Sequence, residues 1–454
     1  MIVPSIDLVR GEAVQLVGGE RHALTAGDPR PLAARFGRVG EVAVVDLDAA
    51  RGEGNNSAIV EALCRLAPCR VGGGIRSAAA ARRWLARGAS RVVVGTAADP
   101  DVLADIPPES AIVALDARHG EVVVEGWRRR TGRAVEERMR ELAGLTSEFV
   151  VTFVEREGRL AGVDLERVAA LRDAAAPARL TVAGGIRSAA DIAALDRLGV
   201  DAQVGMALYT DRIGLTEGFA APLVADRADG LWPTVVTDEL GIALGLAWSS
   251  PASLEQAIES GHGVYHSRAR GLWVKGSISG ATQELLRVEA DCDRDALRFT
   301  VRQRGPGFCH RNTATCWGGA RGLQRLEATI HDRLVSDGRT DDIARSGHSR
   351  PETAGVPAGR TTADTQVGRF RRDAAPSSSY TALLGRSPAL LATKLRAEAD
   401  ELARAGDRES VRWEAADLLY FTLVAMGRAG VSLAEVAGEL DRRAALGGSR
   451  EDRS

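Results

Sequence analysis

The sequence predicts a multidomain chain: an α/β (β/α)8 barrel over residues 1–225, a small α+β domain over 226–320 and an all-α domain over 321–454. Three observations carry this. Short β-rich apolar runs alternate with Ala-, Leu- and Arg-rich helical stretches up to about residue 225, and that region repeats itself once. Three of the five cysteines then fall between Cys292 and Cys316, in a mixed segment. From Tyr380 onward the pattern is amphipathic helix. A chain of 454 residues holds about three domains of roughly 150 residues each.

In the first region, expected strands include Glu41–Asp46, Arg91–Gly95, Ile112–Asp116, Phe149–Thr152, Leu180–Ala183 and Gln203–Gly205. Alternation of strands with helices implies parallel βα units. Gly73-Gly74-Ile75-Arg76-Ser77 recurs as Gly184-Gly185-Ile186-Arg187-Ser188, and Val94-Gly95-Thr96-Ala97 recurs as Val204-Gly205-Met206-Ala207. The offsets are 111 and 110 residues, half a barrel. Two half-barrels close into one TIM barrel with its chemistry at the C-terminal strand ends. Glycines there allow backbone N–H groups to approach a phosphate near a helix N-terminus. Two copies imply a substrate phosphorylated at both ends. A nearly equal offset, 109 residues, relates Asp7 and Asp116, one carboxylate per half, suited to general base and general acid. A strand-end Asp that merely caps the next helix is the bland alternative.

Ile2-Val3-Pro4-Ser5-Ile6-Asp7-Leu8, Val45-Asp46-Leu47-Asp48-Ala49-Ala50, both glycine motifs and Leu115-Asp116-Ala117-Arg118 together resemble the ProFAR isomerase family of histidine biosynthesis. The resemblance implies an Amadori rearrangement with Asp116 as acid, Asp7 as base and Thr152 as the family's threonine on strand six. It also implies phosphate contacts at Gly73, Gly74, Arg76, Gly95, Thr96, Gly184, Gly185 and Gly205. Gln15 stands where the family usually has arginine, Phe153 where it has an acid, and Glu157 and Arg159 in a loop usually written Asp-Gly-Thr. Gly126-Trp127 also looks like the dual-specificity version acting on phosphoribosylanthranilate, a minor alternative.

Asp226–Gly230 reads as a polar hinge. The next domain should hold a helix at Pro251–Gly261 and strands at Thr282–Asp291 and Ala296–Arg302. Its centre is Asp291-Cys292-Asp293-Arg294-Asp295, followed by Cys309-His310 and Cys316. Thiolates suit zinc, and carboxylates suit a harder ion such as magnesium. Three protein ligands on zinc leave a fourth position for water, the catalytic pattern; a structural site needs a fourth ligand from elsewhere. With Tyr265-His266-Ser267-Arg268 and Leu272-Trp273-Val274-Lys275-Gly276, these residues resemble phosphoribosyl-AMP cyclohydrolase. By that resemblance Cys292, Cys309 and Cys316 bind Zn2+, Asp291, Asp293 and Asp295 bind Mg2+, and His310 is the base. Arg268 and Lys275 are then phosphate contacts. Ser277 replaces a usual Glu and Ala281 a usual Asn or His. The family shares its zinc site between two chains, which implies a homodimer.

Gly322–Val335 reads as a helix, and 336–379, rich in Ser, Thr, Gly, Asp and Arg, as a disordered insert. Helices follow at Lys394–Ala405, Arg408–Ala429 and Ser432–Ala445. Glu398 and Glu401 share one helix face, and Glu414 and Asp417 share another. An antiparallel pair would gather the four carboxylates around Mg2+ and a polyphosphate; two solvated faces are the alternative. Ser379-Tyr380-Thr381, Lys394 and this Glu-x2-Glu…Glu-x2-Asp pattern resemble phosphoribosyl-ATP pyrophosphohydrolase, implying catalytic roles for Glu398 and Glu401. The family usually has Glu at Ala397 and His at Phe421.

The whole then reads as three successive steps on phosphoribosyl nucleotide substrates, encoded in reverse order, in a homodimer joined through the zinc and helical domains. The alternative makes the C-terminal helices a non-catalytic dimerisation module. A net charge of −2 predicts neither a nucleic-acid nor a membrane partner. No apolar run nears the roughly 18–20 residues of a membrane span. Asp7 comes too early for a signal peptide, and an odd cysteine count fits a reducing, cytoplasmic location.

Overall fold

The computed structural model describes residues 1–19, 21–345 and 379–445. Eight strands close a parallel barrel: Ile2–Val9, Val42–Asp46, Cys69–Gly72, Arg91–Val94, Ala111–Arg118, Glu148–Phe153, Arg179–Ala183 and Val200–Val204. Each pairs with the next, and Val200–Val204 returns to Ile2–Val9 with Ile2 opposite Ala202. The apolar alternation of these segments explains the closure, since side chains point alternately to the barrel interior and to the helices.

The repeat is visible beyond the glycine motifs. Strands one and five, which open the two halves, each run on into an antiparallel hairpin at the mouth: Glu12–Val17 with Arg21–Gly27, and Glu121–Val124 with Arg129–Ala134. At the opposite end a buried ion-pair network replaces apolar filling. Arg70 and Glu148 are 3% and 0% exposed, and Arg91 joins Glu148 at 2.6 Å. Glu41 accepts from both arginines, and the Thr181 hydroxyl donates to Glu148 at 2.6 Å. Such a cluster persists because every charge has partners.

The second β system is a four-stranded sheet in the order Ala243–Ser249, Trp232–Thr237, Leu297–Gln303, Gln283–Ala290, with a separate hairpin of Val264–Ser267 and Gly271–Val274. Helix Pro251–Ser260 starts at the Ser250 cap, with Pro251 at its first position, and stops at Gly261 in the left-handed conformation. The two β systems do not have two cores. Trp232, Leu254, Tyr265 and Phe299 belong to the same continuous buried cluster as Ile6, Phe36 and Val200. Packing accordingly divides the chain into two compact units, one of Met1–Gly318 with the residues from Gly438, the other of Gly319–Ala437.

The second unit is helical: Gly322–Arg345, Tyr380–Arg386, Pro388–Arg404 and Arg408–Ala429 around Ile330, Leu384, Leu391, Phe421 and Val424. A last helix covers Leu433–Ala445. The first of these corrects the sequence reading, for it continues to Arg345 rather than ending at Val335. Extending an established helix is far cheaper than starting one, so a polar stretch can prolong it. The rest of the expected insert, 346–378, lies outside the described residues. Among the described residues no single helix is long and apolar enough to cross a membrane.

Candidate functional sites

At the barrel mouth Asp7 and Asp116 occupy equivalent places near the ends of strands one and five, where Asp7 pairs with Val45 and Asp116 with Thr152. Both are half-buried. Burial pushes the Asp7 carboxyl up to about 7. Burial also raises Asp116, opposed by hydrogen bonds donated by Trp127 and Thr152. Glu157 is a third member that sequence reasoning placed only among the family departures. Burial, and then the charges of Asp7 and Asp116, push it up to about 8. Three acids sharing one low-dielectric site oppose one another's ionisation, so their protons are lost stepwise rather than together. The signal that could have found Glu157 was its place in the loop after strand six.

The glycine motifs take a sharper meaning. Gly73 and Gly184 have φ of +95° and +87°. A Cβ on Gly73 would drive into the Asp46 carbonyl, and one on Gly184 would stand 2.7 Å from the Phe153 carbonyl. These glycines let each loop nest on the loop before it, a constraint separate from ligand approach. Ser77 and Ser188 cap the following helices, Ala78–Ala86 and Ala189–Arg197, by accepting from Ala80 and Asp191 N–H groups. Arg76 braces its loop from outside, donating to the Ala49 and Ala50 carbonyls at 3.4 and 3.1 Å. Thr96 accepts from Glu125 N–H at 3.2 Å, Gly74 and Gly185 have φ of +71° and +95°, and Gly95 directly follows strand Arg91–Val94. At Gly205 a Cβ would lie 2.6 Å from Gln15 Oε1, so buried Gln15 packs directly against that turn.

In the second β system the carboxylates of Asp291, Asp293 and Asp295 converge with ligand oxygens within 4.8 Å of one another. Asp291 accepts from Asp295 and Ala296 N–H groups, both at 3.0 Å. Burial and then the neighbouring Asp293 charge raise Asp295. The cysteines are not gathered in the same way. Hydrogen bonds from Arg311 N–H and the Thr313 side chain hold Cys309 below an ordinary thiol, and Cys316 bonds to it directly. Cys292 is exposed beside Asp293, and among the described residues no three thiols group. Within one chain, then, two of the three expected thiols meet. Exposed His310 has Nδ1 at 3.9 Å from Cys309 Sγ. Lys275 is 6% exposed, its ammonium 5.7 and 5.4 Å from the ring centres of Trp273 and Phe308; burial lowers it, opposed by the charges of Cys309 and Cys316. Arg268 stacks over Trp248 at 5.5 Å.

In the helical unit Glu398, Glu401 and Glu414 gather within 4.8 Å across the pair Pro388–Arg404 and Arg408–Ala429. Asp417 stands outside that trio. Its charge still reaches Glu414, which is raised first by burial, then by Glu401 and Glu398. Lys394 lies 3.7 Å from Glu398, and Phe421 is packed in the core.

A closed parallel barrel with opposed acids at its mouth, followed by a thiol-and-carboxylate loop and a helical carboxylate trio, defines a multidomain metabolic enzyme. The chain belongs to the histidine biosynthesis protein family, whose sequence model matches residues 1–214. The models for phosphoribosyl-AMP cyclohydrolase and phosphoribosyl-ATP pyrophosphohydrolase match 245–318 and 368–444, giving isomerase, cyclohydrolase and pyrophosphohydrolase domains in that order. The latter two families use metal ions. An imidazole-4-carboxamide isomerase of Thermus thermophilus is 43% identical over 229 residues, which cover 48% of this chain and 97% of that protein. A histidine biosynthesis trifunctional protein of Komagataella pastoris is 38% identical over 58% of this chain and 26% of its own length. A bifunctional one of Schizosaccharomyces pombe is 42% identical over 48% and 43%. The chain thus spans less than half the length of these two relatives.

Proposed function

We propose that the chain catalyses three successive steps of histidine biosynthesis: pyrophosphate release from phosphoribosyl-ATP, hydrolytic ring opening of phosphoribosyl-AMP to ProFAR, and isomerisation of ProFAR. The observation that carries it is that each family-matched stretch contains its own cluster of acids or thiols. In the barrel, Asp116 protonates the ribose ring oxygen as the ring opens and Asp7 removes the C2′ proton, with Thr152 orienting Asp116. Gly73, Gly74, Arg76, Gly95 and Thr96 hold one phosphate, and Gly184, Gly185 and Gly205 the other.

For the ring opening, Cys309 and Cys316 suit a soft ion, and the Asp291, Asp293 and Asp295 trio suits a hard one. We assign these to Zn2+ and Mg2+. Zinc supplies Lewis acidity that brings a water's ionisation near neutral pH. His310 takes the proton from the attacking water, and Arg268 and Lys275 offset substrate phosphate charge. The separation of Cys292 from the other two thiols supports completion of the zinc set by a second copy, hence a homodimer. In the helical unit Glu398, Glu401, Glu414 and Asp417 suit Mg2+ on the polyphosphate, with Glu398 and Glu401 positioning the attacking water.

The test is time-resolved product analysis from phosphoribosyl-ATP with Asp7→Asn, His310→Ala and Glu398→Ala made singly. Each variant should accumulate a different intermediate. If all three stall at the same compound, the three-site reading is wrong.

A further inference from the structure

One side chain ties the acidic loop Asp291–Asp295 to the barrel. Arg294, in that loop, has φ of +69°. A non-glycine residue in this region is strained and persists only where its surroundings enforce it. Here the surroundings are on the barrel. Arg294 Nε and Nη2 reach the two carboxylate oxygens of Asp196 at 3.2 and 3.0 Å, near the end of helix Ala189–Arg197. Its Nη1 donates back to the Asp291 carbonyl at 3.0 Å, and its own carbonyl accepts from Val224 N–H at 2.9 Å. The planar guanidinium therefore grips a barrel carboxylate with one edge and the first residue of the loop with the other. The same loop must hold three carboxylates within 4.8 Å of one another, an arrangement that like charges oppose.

We propose that Arg294 is a positioning residue for the cation-binding loop and that the barrel, through Asp196, is a structural part of the ring-opening site. This rests on reading Asp291, Asp293 and Asp295 as a cation site. A purely local role for Arg294 would not involve Asp196, which lies 98 residues earlier in the sequence and pairs with the guanidinium rather than the loop carboxylates.

The test uses the full chain with Glu398, Glu401 and Glu414 all changed to Gln, so that the helical trio does not take up the probe. Mn2+ binding is followed by electron paramagnetic resonance. Arg294→Ala and Asp196→Ala should each weaken Mn2+ binding about tenfold or more, the usual effect of losing a residue that orients metal ligands. Arg294→Lys, which keeps the charge but not the fork, should fall between. Isomerisation should keep its kcat and KM in every variant, which also reports that the fold is intact. Unchanged Mn2+ affinity in Asp196→Ala overturns the proposal. Asp293→Ala separates the two levels: unchanged Mn2+ binding there removes the cation reading and this proposal with it. Loss there, with Asp196→Ala unaffected, removes this proposal and leaves the cation reading standing.

Discussion

Replacing Asp7 with asparagine should abolish isomerisation and at the same time stabilise the fold, increasingly so toward alkaline pH. Burial raises the Asp7 carboxyl from 3.8 to about 7. A raised folded-state value means that the folded chain holds a proton which the unfolded chain releases. The stability tied to that proton is complete below 3.8 and is lost as pH climbs to about 7. At about 1.4 kcal/mol per pH unit, the roughly three units between the two values set a ceiling near 4 kcal/mol. Water entering the half-buried site will reduce it. The asparagine side chain carries no such proton, and removing the Asp7 charge also relieves Glu157, which acts in the same direction. The assay is urea denaturation of wild type and Asp7→Asn at pH 4.5 and pH 8. The stability advantage of the variant should grow between the two by about 2–3 kcal/mol. An equal advantage at both pH values would refute the argument that burial holds Asp7 protonated.

Thr152→Val should remove a donor that lowers Asp116, moving the alkaline limb of the isomerisation pH profile upward; a downward move would count against this partnership. The same change should lower kcat about tenfold, as expected for one lost hydrogen bond to a charged group. Gly73→Ala should destabilise the chain by about 2–3 kcal/mol, because the position needs positive φ and its Cβ would meet the Asp46 carbonyl; thermal denaturation reads this directly. Chelation with 1,10-phenanthroline should stop ring opening while isomerisation continues, with added Zn2+ restoring the lost step.

The barrel was legible because duplication doubled every signal: two glycine motifs, the serines within them and two strand-end aspartates recur at offsets of 109 to 111 residues. Glu157 escaped that logic, since the sequence marks it only as a residue of the loop after strand six and its significance comes from burial beside Asp7 and Asp116. The Arg70–Glu148 network was equally silent, because isolated Arg and Glu in a strand read as surface residues until the barrel encloses them. The cysteine spacing announced a metal-ligand set, but spacing along a chain carries no information on which ligands meet within one copy. The helix reaching Arg345 was missed because composition was weighed there without the helix already running into it.

The continuous core beneath the two β systems has a consequence for severing the chain. A cut at 225/226 would separate Ile6, Phe36 and Val200 from Trp232, Leu254 and Phe299, which belong to one buried cluster. Each piece would then present apolar surface to water and tend to associate or aggregate. The hinge at Asp226–Gly230 is itself exposed, so limited proteolysis should nick it there while the two pieces stay associated through that core. If recombination first brought these two sequences together, their subsequent packing has made that junction hard to reverse.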